Sequence, residues 1–172
     1  MESKPRVSRI TPTTYARAKF TSLLVNNILS QTYPHTLLEW VVVGDTSSKT
    51  RQLYTRIFTD TPTIKCKYYE CDILDNIGRK RNFACNKATS KILASLDDDD
   101  FYQKTYVEYS VDSLREKGVN MVSCRDMIIF FPLVDGKMTM VRGSLGVEAT
   151  IVCTKNHWKS HKYVNTKIGE GL

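Results

Sequence analysis

No run of this chain is apolar for long enough to cross a bilayer, which takes about 20 such residues. The opening stretch, Met1-Glu2-Ser3-Lys4-Pro5-Arg6, has no apolar core of the kind a secretory leader needs. The expectation is a cytoplasmic protein with no membrane span. Cysteine is present but not patterned: Cys66, Cys71, Cys85, Cys124 and Cys153 include no C-x-x-C pair, and their number is odd. That argues against a zinc ribbon or a disulfide framework and for a reducing compartment. Glycine is missing from Thr11 to Ala18, directly after the first strand-like segment. A nucleotidyltransferase would want a glycine-rich phosphate loop there, so its absence counts against that class. Internal repeats are absent too.

What the chain does hold is four consecutive acids, Asp97 to Asp100, directly behind the apolar run Ile92 to Leu96. Adjacent carboxylates repel one another, and outside an acidic tail such a run needs a cation to be tolerable. This run lies mid-chain. At the end of a buried strand it reads as a divalent-metal site, and the metal's usual companion there is a phosphate.

The 172 residues, 41% hydrophobic and 25% charged, fit one soluble domain with a sizeable core. The net charge of +7 is uneven. Residues 1–86 carry 13 basic and 7 acidic side chains, a balance of +6; residues 87–172 carry 12 and 11, a balance of +1. The basic half suggests a polyanionic partner, either a nucleic acid or a phosphorylated small molecule.

Periodicity predicts alternating elements. Arg6 to Ile10 reads as a strand ending in Thr11-Pro12-Thr13. Ala16 to Ser30 has helical spacing at Phe20, Leu23, Leu24, Ile28 and Leu29, and Gln31-Thr32-Tyr33-Pro34 stops it. Leu37 to Val43 is a β-branched strand closed by Gly44-Asp45, and Ser47 and Ser48 suit the start of a helix through Phe58. A strand at Ile64 to Cys71, a helix at Arg79 to Ala88, a strand at Ile92 to Leu96 and a helix at Gln103 to Lys117 follow, with Gly118 as the last helix's stop signal. Beyond it, Met121 to Ser123, Met127 to Pro132, Lys137 to Val141 and Val147 to Cys153 read as strands, with Asp135-Gly136 as a hairpin turn. A short helix around Trp158 to Tyr163 ends the pattern.

The first hundred residues therefore predict βαβαβαβ, an α/β fold with a mostly parallel sheet flanked by helices. Ligands in such sheets bind outside the carboxyl ends of the strands. The turns there are Thr11-Pro12-Thr13, Gly44-Asp45, Asp72 to Asp75 and Asp97 to Asp100; all are polar and three carry carboxylates. The topology gathers them at one edge, which supports a site for a nucleotide and a metal.

The ordered set Arg9-Ile10-Thr11-Pro12-Thr13, Gln31-Thr32-Tyr33-Pro34, Glu39 to Asp45, Gly78-Arg79-Lys80-Arg81-Asn82 and Leu96 to Asp100 resembles the start of family 2 glycosyltransferases of the GT-A (Rossmann-like) fold. Asp97 to Asp100 look like that family's DXD motif, and the match covers about the first 105 residues. The resemblance implies one domain over 1–172. Its nucleotide-sugar-binding half would be 1–105, and its smaller acceptor-side β-meander part 106–172, truncated or minimal. It implies a nucleotide-diphosphate sugar donor, a UDP-sugar favoured, a glycan or other hydroxyl acceptor, transfer with inversion, and no nucleic acid. By the same resemblance Thr11, Pro12 and Thr13 would line the base pocket, Asp45 would face the base, and Lys80 and Arg81 the nucleotide. Asp97 and Asp98 would face ribose and metal, and Asp99 would be the main ligand of Mn²⁺ or Mg²⁺, neutralising charge on the leaving diphosphate. Gly169-Glu170-Gly171 resembles the segment that carries the family's catalytic base. Glu170 is thus the candidate, with His157 and His161 behind it.

Two departures stand out. The family often has two acids after strand two, and here the first is Gly44; Thr13-Thr14-Tyr15-Ala16-Arg17 is looser than the usual Pro-Thr-Tyr-Asn-Arg. Plainer readings exist as well. The aspartates could be an acidic helix start favouring the macrodipole, Asp45 a helix cap, and Trp158, Tyr102, Phe130 and Phe131 core residues, with Trp158 alternatively a platform for an acceptor sugar. A basic nucleic-acid-binding module is the third class, but it leaves the four aspartates unexplained.

Overall fold

A computed structural model describes residues 3–72, 76–131, 136–142 and 146–165. In chain order the strands are β1 (Val7–Pro12), β2 (Leu38–Gly44), β3 (Lys65–Glu70), β4 (Ile92–Ser95), β5 (Met121–Val122), β6 (Asp126–Phe131), β7 (Lys137–Arg142) and β8 (Val152–Thr154). The helices are α1 (Thr21–Leu29), α2 (Ser48–Asp60), α3 (Ile77–Lys87), α4 (Tyr106–Glu116) and α5 (Lys155–Ser160). The main sheet has the order β3-β2-β1-β4-β8-β5. Its first four strands run parallel, and β8 lies antiparallel to β4 and β5.

β1, β2 and β4 are buried along both faces, as a sheet covered by helices requires, while β3 at the sheet edge is charged and only half-buried. Leu38, Trp40 and Val42 face α1, α2 and α4; Val41 and Val43 face α3 and α5. Trp40 anchors the first layer, edge-on to Tyr54 at 6.0 Å and Phe58 at 5.3 Å, and its indole N–H donates to Thr11 Oγ1 at 3.0 Å. Burying such a side chain contributes about 2–3 kcal/mol. Gly118 closes α4 with φ of 60°, the left-handed conformation that lets Val119 N–H return to the Leu114 carbonyl at 3.1 Å.

Glu39 and Arg9 are among the charged side chains buried in this frame. Glu39 on β2 accepts from Ser8 Oγ, from Lys67 Nζ at 2.8 Å, and from the backbone N–H and hydroxyl of Thr89, both at 2.8 Å. It staples the N-terminal ends of three strands to the loop leaving α3. Arg9 on β1 has no exposed surface; its Nη1 donates to the Ile28 carbonyl near the end of α1 at 3.1 Å. Burial lowers that guanidinium to about 9.

The structure departs from the predicted pattern in three places. Tyr15–Phe20 winds as a 3-10 turn before α1 instead of continuing it. The chain must turn tightly there, with Arg17 N–H bonded to the Thr14 carbonyl three residues back and Tyr15 N–H held by Asp45. Val147 to Cys153 is not one strand: Glu148–Thr150 is a 3-10 turn and β8 follows it. The C-terminal strands also divide. β5 and β8 extend the main sheet, while β6 and β7 pair as a separate antiparallel hairpin. Asp135 of the predicted hairpin turn, residues 73–75 of the turn after β3, and residues 143–145 lie outside the described residues. So do the side chains of Phe130 and Phe131.

Candidate active site

The strand order reverses between β1 and β4. The crossover after β1 leads to β2 on one side, and β4 returns to the other, so the carboxyl ends of β1 and β4 flank a crevice. Such a switch point is where open α/β sheets bind their ligands. A cleft of ≈ 310 Å³ lies there, lined by Pro12, Thr13, Thr14, Arg17, Ile77, Lys80, Asp97, Asp98 and Asp99.

The four aspartates stand in the bend after β4 and before α4 begins at Tyr106. They are therefore outside that helix's first turn, and its dipole does not account for them. Each has a separate environment. Asp97 is paired with Arg81, whose Nη2 lies 3.1 and 2.8 Å from its two oxygens, and its backbone N–H donates to Tyr102 Oη at 2.9 Å. Burial pushes the Asp97 carboxyl up to about 7, against the pull of Arg81. Asp98, 2% exposed, accepts from Thr13 Oγ1 at 2.7 Å and from Arg17 Nε at 2.5 Å. Burial still holds its carboxyl above the ordinary range. Asp99 has 40% of its side chain exposed, and its Oδ1 meets Arg17 Nη2 at 2.5 Å. Asp100 is held through its backbone, its carbonyl accepting from Asn27 Nδ2 at 2.7 Å.

Around them the walls are made by backbone geometry. Thr13 N–H bonds to the Val43 carbonyl at 2.9 Å, continuing the β1–β2 pairing past the end of the strand. Lys80 is 3% exposed on α3 and donates from Nζ to the Thr13 carbonyl at 3.0 Å. Burial lowers its ammonium, with Asp45 and Asp98 opposing. Arg81 is fixed from behind by the Tyr163 ring, 5.6 Å from its guanidinium carbon.

Several sequence-predicted residues lie beside the cleft and not on its wall. Thr11 turns into the core, donating to the Leu96 carbonyl at 2.8 Å and accepting from Trp40. Asp45 caps the turn into α2: its carboxylate takes Tyr15 N–H at 2.8 Å, Ser47 N–H at 3.2 Å and Thr50 Oγ1 at 2.6 Å. Burial works to raise its carboxyl, but these bonds and Lys80 outweigh it and hold it below the ordinary value. Pro12, Thr13, Lys80 and Asp97 to Asp99 do converge on the cleft; Arg81 supports it through Asp97. Thr14, Arg17 and Ile77 line it without having been singled out, and Arg17 had a signal: it is a cation directly after the first strand's turn. Trp158 is buried and donates to Asn82 Oδ1 at 3.0 Å, so it is core and not a sugar platform. His157 and His161 stack on each other at 4.4 Å and do not line the cleft. Glu170 lies outside the described residues.

Gly44 departs from the acidic pattern for a visible reason. A Cβ there would stand 2.2 Å from Tyr68 Oη and 2.8 Å from its ring carbons. Tyr68 is itself stacked on Tyr54 at 5.7 Å and donates to the Asp45 carbonyl at 3.1 Å, so it cannot move away freely. Gly44→Ala should lower stability by about 1–3 kcal/mol, read as a lower urea midpoint. The double variant Gly44→Ala with Tyr68→Ala should show less than the sum of the two single losses; full additivity would refute the clash.

Among the described residues no three His, Cys, Asp or Glu side chains converge as a metal cage. The donor set on offer is one accessible carboxylate, Asp99, with Asp98 and Asp97 behind it. That suits an oxygen-seeking divalent ion that takes one or two carboxylates from protein and the rest from phosphate and water, as Mg²⁺ and Mn²⁺ do. No helix among the described residues is long and apolar enough to cross a membrane.

No curated protein sequence matches the chain. Solved structures do. A mannosyltransferase from Pyrobaculum calidifontis, in complex with GDP-Man and Mn²⁺, superposes with a TM-score of 0.73 at 20% identity, covering 95% of this chain and 48% of that one. S. aureus TarS residues 1–349 with UDP gives 0.69 at 18% identity over 93% and 50%, and with UDP-GlcNAc 0.67 at 18% over 92% and 48%. This chain thus has the GT-A fold and spans about half the length of these neighbours. The model of glycosyl transferase family 2 matches residues 10–145, from inside β1, through the whole parallel sheet and the aspartate bend, to past β7. On that match the chain belongs to glycosyl transferase family 2.

Proposed function

We propose that this protein is a metal-dependent glycosyltransferase that moves a sugar from a nucleotide-diphosphate donor, a UDP-sugar favoured, to an acceptor hydroxyl with inversion. The observation that carries this reading is the cleft at the β1–β4 switch point, where cations (Lys80, Arg17) and carboxylates (Asp97 to Asp99) face one space. A pocket of one sign would suit a free cation or a free anion; this mixture suits an anion that arrives with its own divalent ion. Thr13 and Pro12 would bound the nucleoside, Lys80 and Arg17 would meet the diphosphate, and Asp99 would hold Mn²⁺ or Mg²⁺. That ion would stabilise the negative charge left on the departing diphosphate. Arg81 would keep Asp97 ionised and in place. Residues 1–105 would form the donor half and 106–172 the acceptor half, with Glu170 as the base that deprotonates the acceptor hydroxyl, which belongs to a glycan or similar alcohol. The free thiols fit a reducing, cytoplasmic setting.

The test is a thermal-shift panel with UDP, GDP, CMP and dTDP, each with and without Mn²⁺. A ligand that binds only the native state raises the melting temperature by mass action. The expected result is a rise of several degrees with one nucleotide, UDP first, that disappears when Mn²⁺ is omitted. A panel without any metal-dependent shift would sink the reading.

A further inference from the structure

Among the described residues, the guanidinium groups of Arg81 and Arg17 pair with the aspartate cluster, and they are held in different ways. Arg81 is 3% exposed, pairs with Asp97 and is backed by Tyr163. Arg17 has 38% of its side chain exposed, stands on the Tyr15–Phe20 turn at the rim of the cleft, and lies over the Phe20 ring at 5.3 Å. From there its two arms bridge different carboxylates, Nε to Asp98 and Nη2 to Asp99, each at 2.5 Å. Asp99 Oδ1, the oxygen it covers, belongs to the most exposed carboxylate that lines the cleft.

We propose that Arg17 is the resident counter-cation of Asp99 and must release it before a divalent ion can be held there, turning its guanidinium to the donor's diphosphate. This rests on the glycosyltransferase reading above. The physical argument is one of charge. A divalent ion on Asp99 would lie within a few ångströms of a guanidinium that stays put, and the two repel strongly in a half-buried cleft. Release without a new anion leaves the guanidinium unpaired. A diphosphate removes both penalties at once, because a guanidinium fork matches phosphate oxygens as well as it matches carboxylates. Metal and nucleotide therefore favour each other's binding, and the coupling is equal in both directions. In the donor-free protein the same bridge offsets the repulsion between Asp98 and Asp99.

The experiment is a titration of Mn²⁺ alone, followed by loss of the free-ion electron paramagnetic resonance signal, on wild type, Arg17→Ala and Arg17→Lys. Arg17→Ala should bind Mn²⁺ without nucleotide at least about tenfold more tightly than wild type, since a charged bond pair no longer competes. Arg17→Lys keeps the charge but cannot bridge two carboxylates, and should fall between them. In the presence of Mn²⁺, Arg17→Ala should lose affinity for UDP while keeping whatever affinity wild type has for uridine. Equal Mn²⁺ affinity in wild type and Arg17→Ala, with wild type still binding UDP in a Mn²⁺-dependent way, overturns the role of Arg17 and leaves the enzyme reading standing. Wild type that binds no UDP even with Mn²⁺ overturns both. Should circular dichroism show Arg17→Ala unfolded, Arg17→Lys decides alone: Mn²⁺ affinity no higher than wild type overturns the proposal.

Discussion

Asp99→Ala is expected to abolish Mn²⁺-dependent nucleotide binding and to lower sugar transfer by at least about a thousandfold, the worth of several kcal/mol of lost Lewis-acid stabilisation. The fold should be untouched, with a melting temperature within about 2 °C of wild type, because surface changes that break no packing are nearly neutral. Asp99 is 40% exposed, and among the described residues its side chain pairs with Arg17, which keeps Asp98 as a partner. Its neighbour should fail differently. Asp98 is 2% exposed and ties Thr13 of the first turn to the fourth strand's bend. Asp98→Ala should therefore lose about 2–4 kcal/mol of stability, as removal of one partner from a buried pair does. Two adjacent acids of identical chemistry are predicted to separate cleanly into a binding defect and a stability defect. Retained affinity for UDP with Mn²⁺ in Asp99→Ala, measured by titration calorimetry, would remove the metal role; equal stability losses would remove the separation.

Glu39→Gln should cost about 3–5 kcal/mol at neutral pH. The glutamine offers one acceptor oxygen where four donors arrive, and its amide hydrogens would point at the Lys67 ammonium or the Thr89 N–H. The acid dependence follows from the same contacts. Burial alone would raise this carboxyl, but Lys67, Ser8 and Thr89 hold it down to about 2 from an ordinary 4.5. The folded state thus binds fewer protons than the unfolded state between those values. The contribution is fully present above about pH 4.5 and drains away as pH falls towards 2. At about 1.4 kcal/mol per unit it amounts to roughly 3 kcal/mol. Urea midpoints of wild type and Glu39→Gln should therefore converge as the solution is acidified. Parallel curves across that window would show that the carboxylate is not what the network depends on.

Much of the fold is visible in the residues. The run Trp40 to Val43 is apolar on both faces because helices cover both, and the aspartate run after Ile92 to Leu96 marks a strand end. The direction of Thr11 was also there to be read. In a strand it shares its side with Val7 and Arg9, opposite Ile10 and Pro12, and Val7 faces the first core layer. What could not be read is pairing across long separations. Arg17 and Asp98 are 81 positions apart, and Glu39 meets Thr89 across 50. No local pattern encodes which cation meets which acid. The loss of helix at Tyr15–Phe20 has the same origin, since local propensity there is overridden by the bonds that Tyr15 N–H donates to Asp45 and Arg17 Nε donates to Asp98, acids from elsewhere in the chain.

The position of β4 between β1 and β8 has a consequence for how the protein comes into being. The cleft has one wall on the turn after β1 and the other on the bend after β4, with three full crossovers between them. During synthesis the first three strands can pair before the fourth has been made, and at that stage there is no cleft at all. The site is born only when β4 slides in beside β1, a pairing of high sequence separation that is among the slower steps of folding. If the cleft holds nucleotide and metal as proposed, those ligands act only on chains that have completed this step.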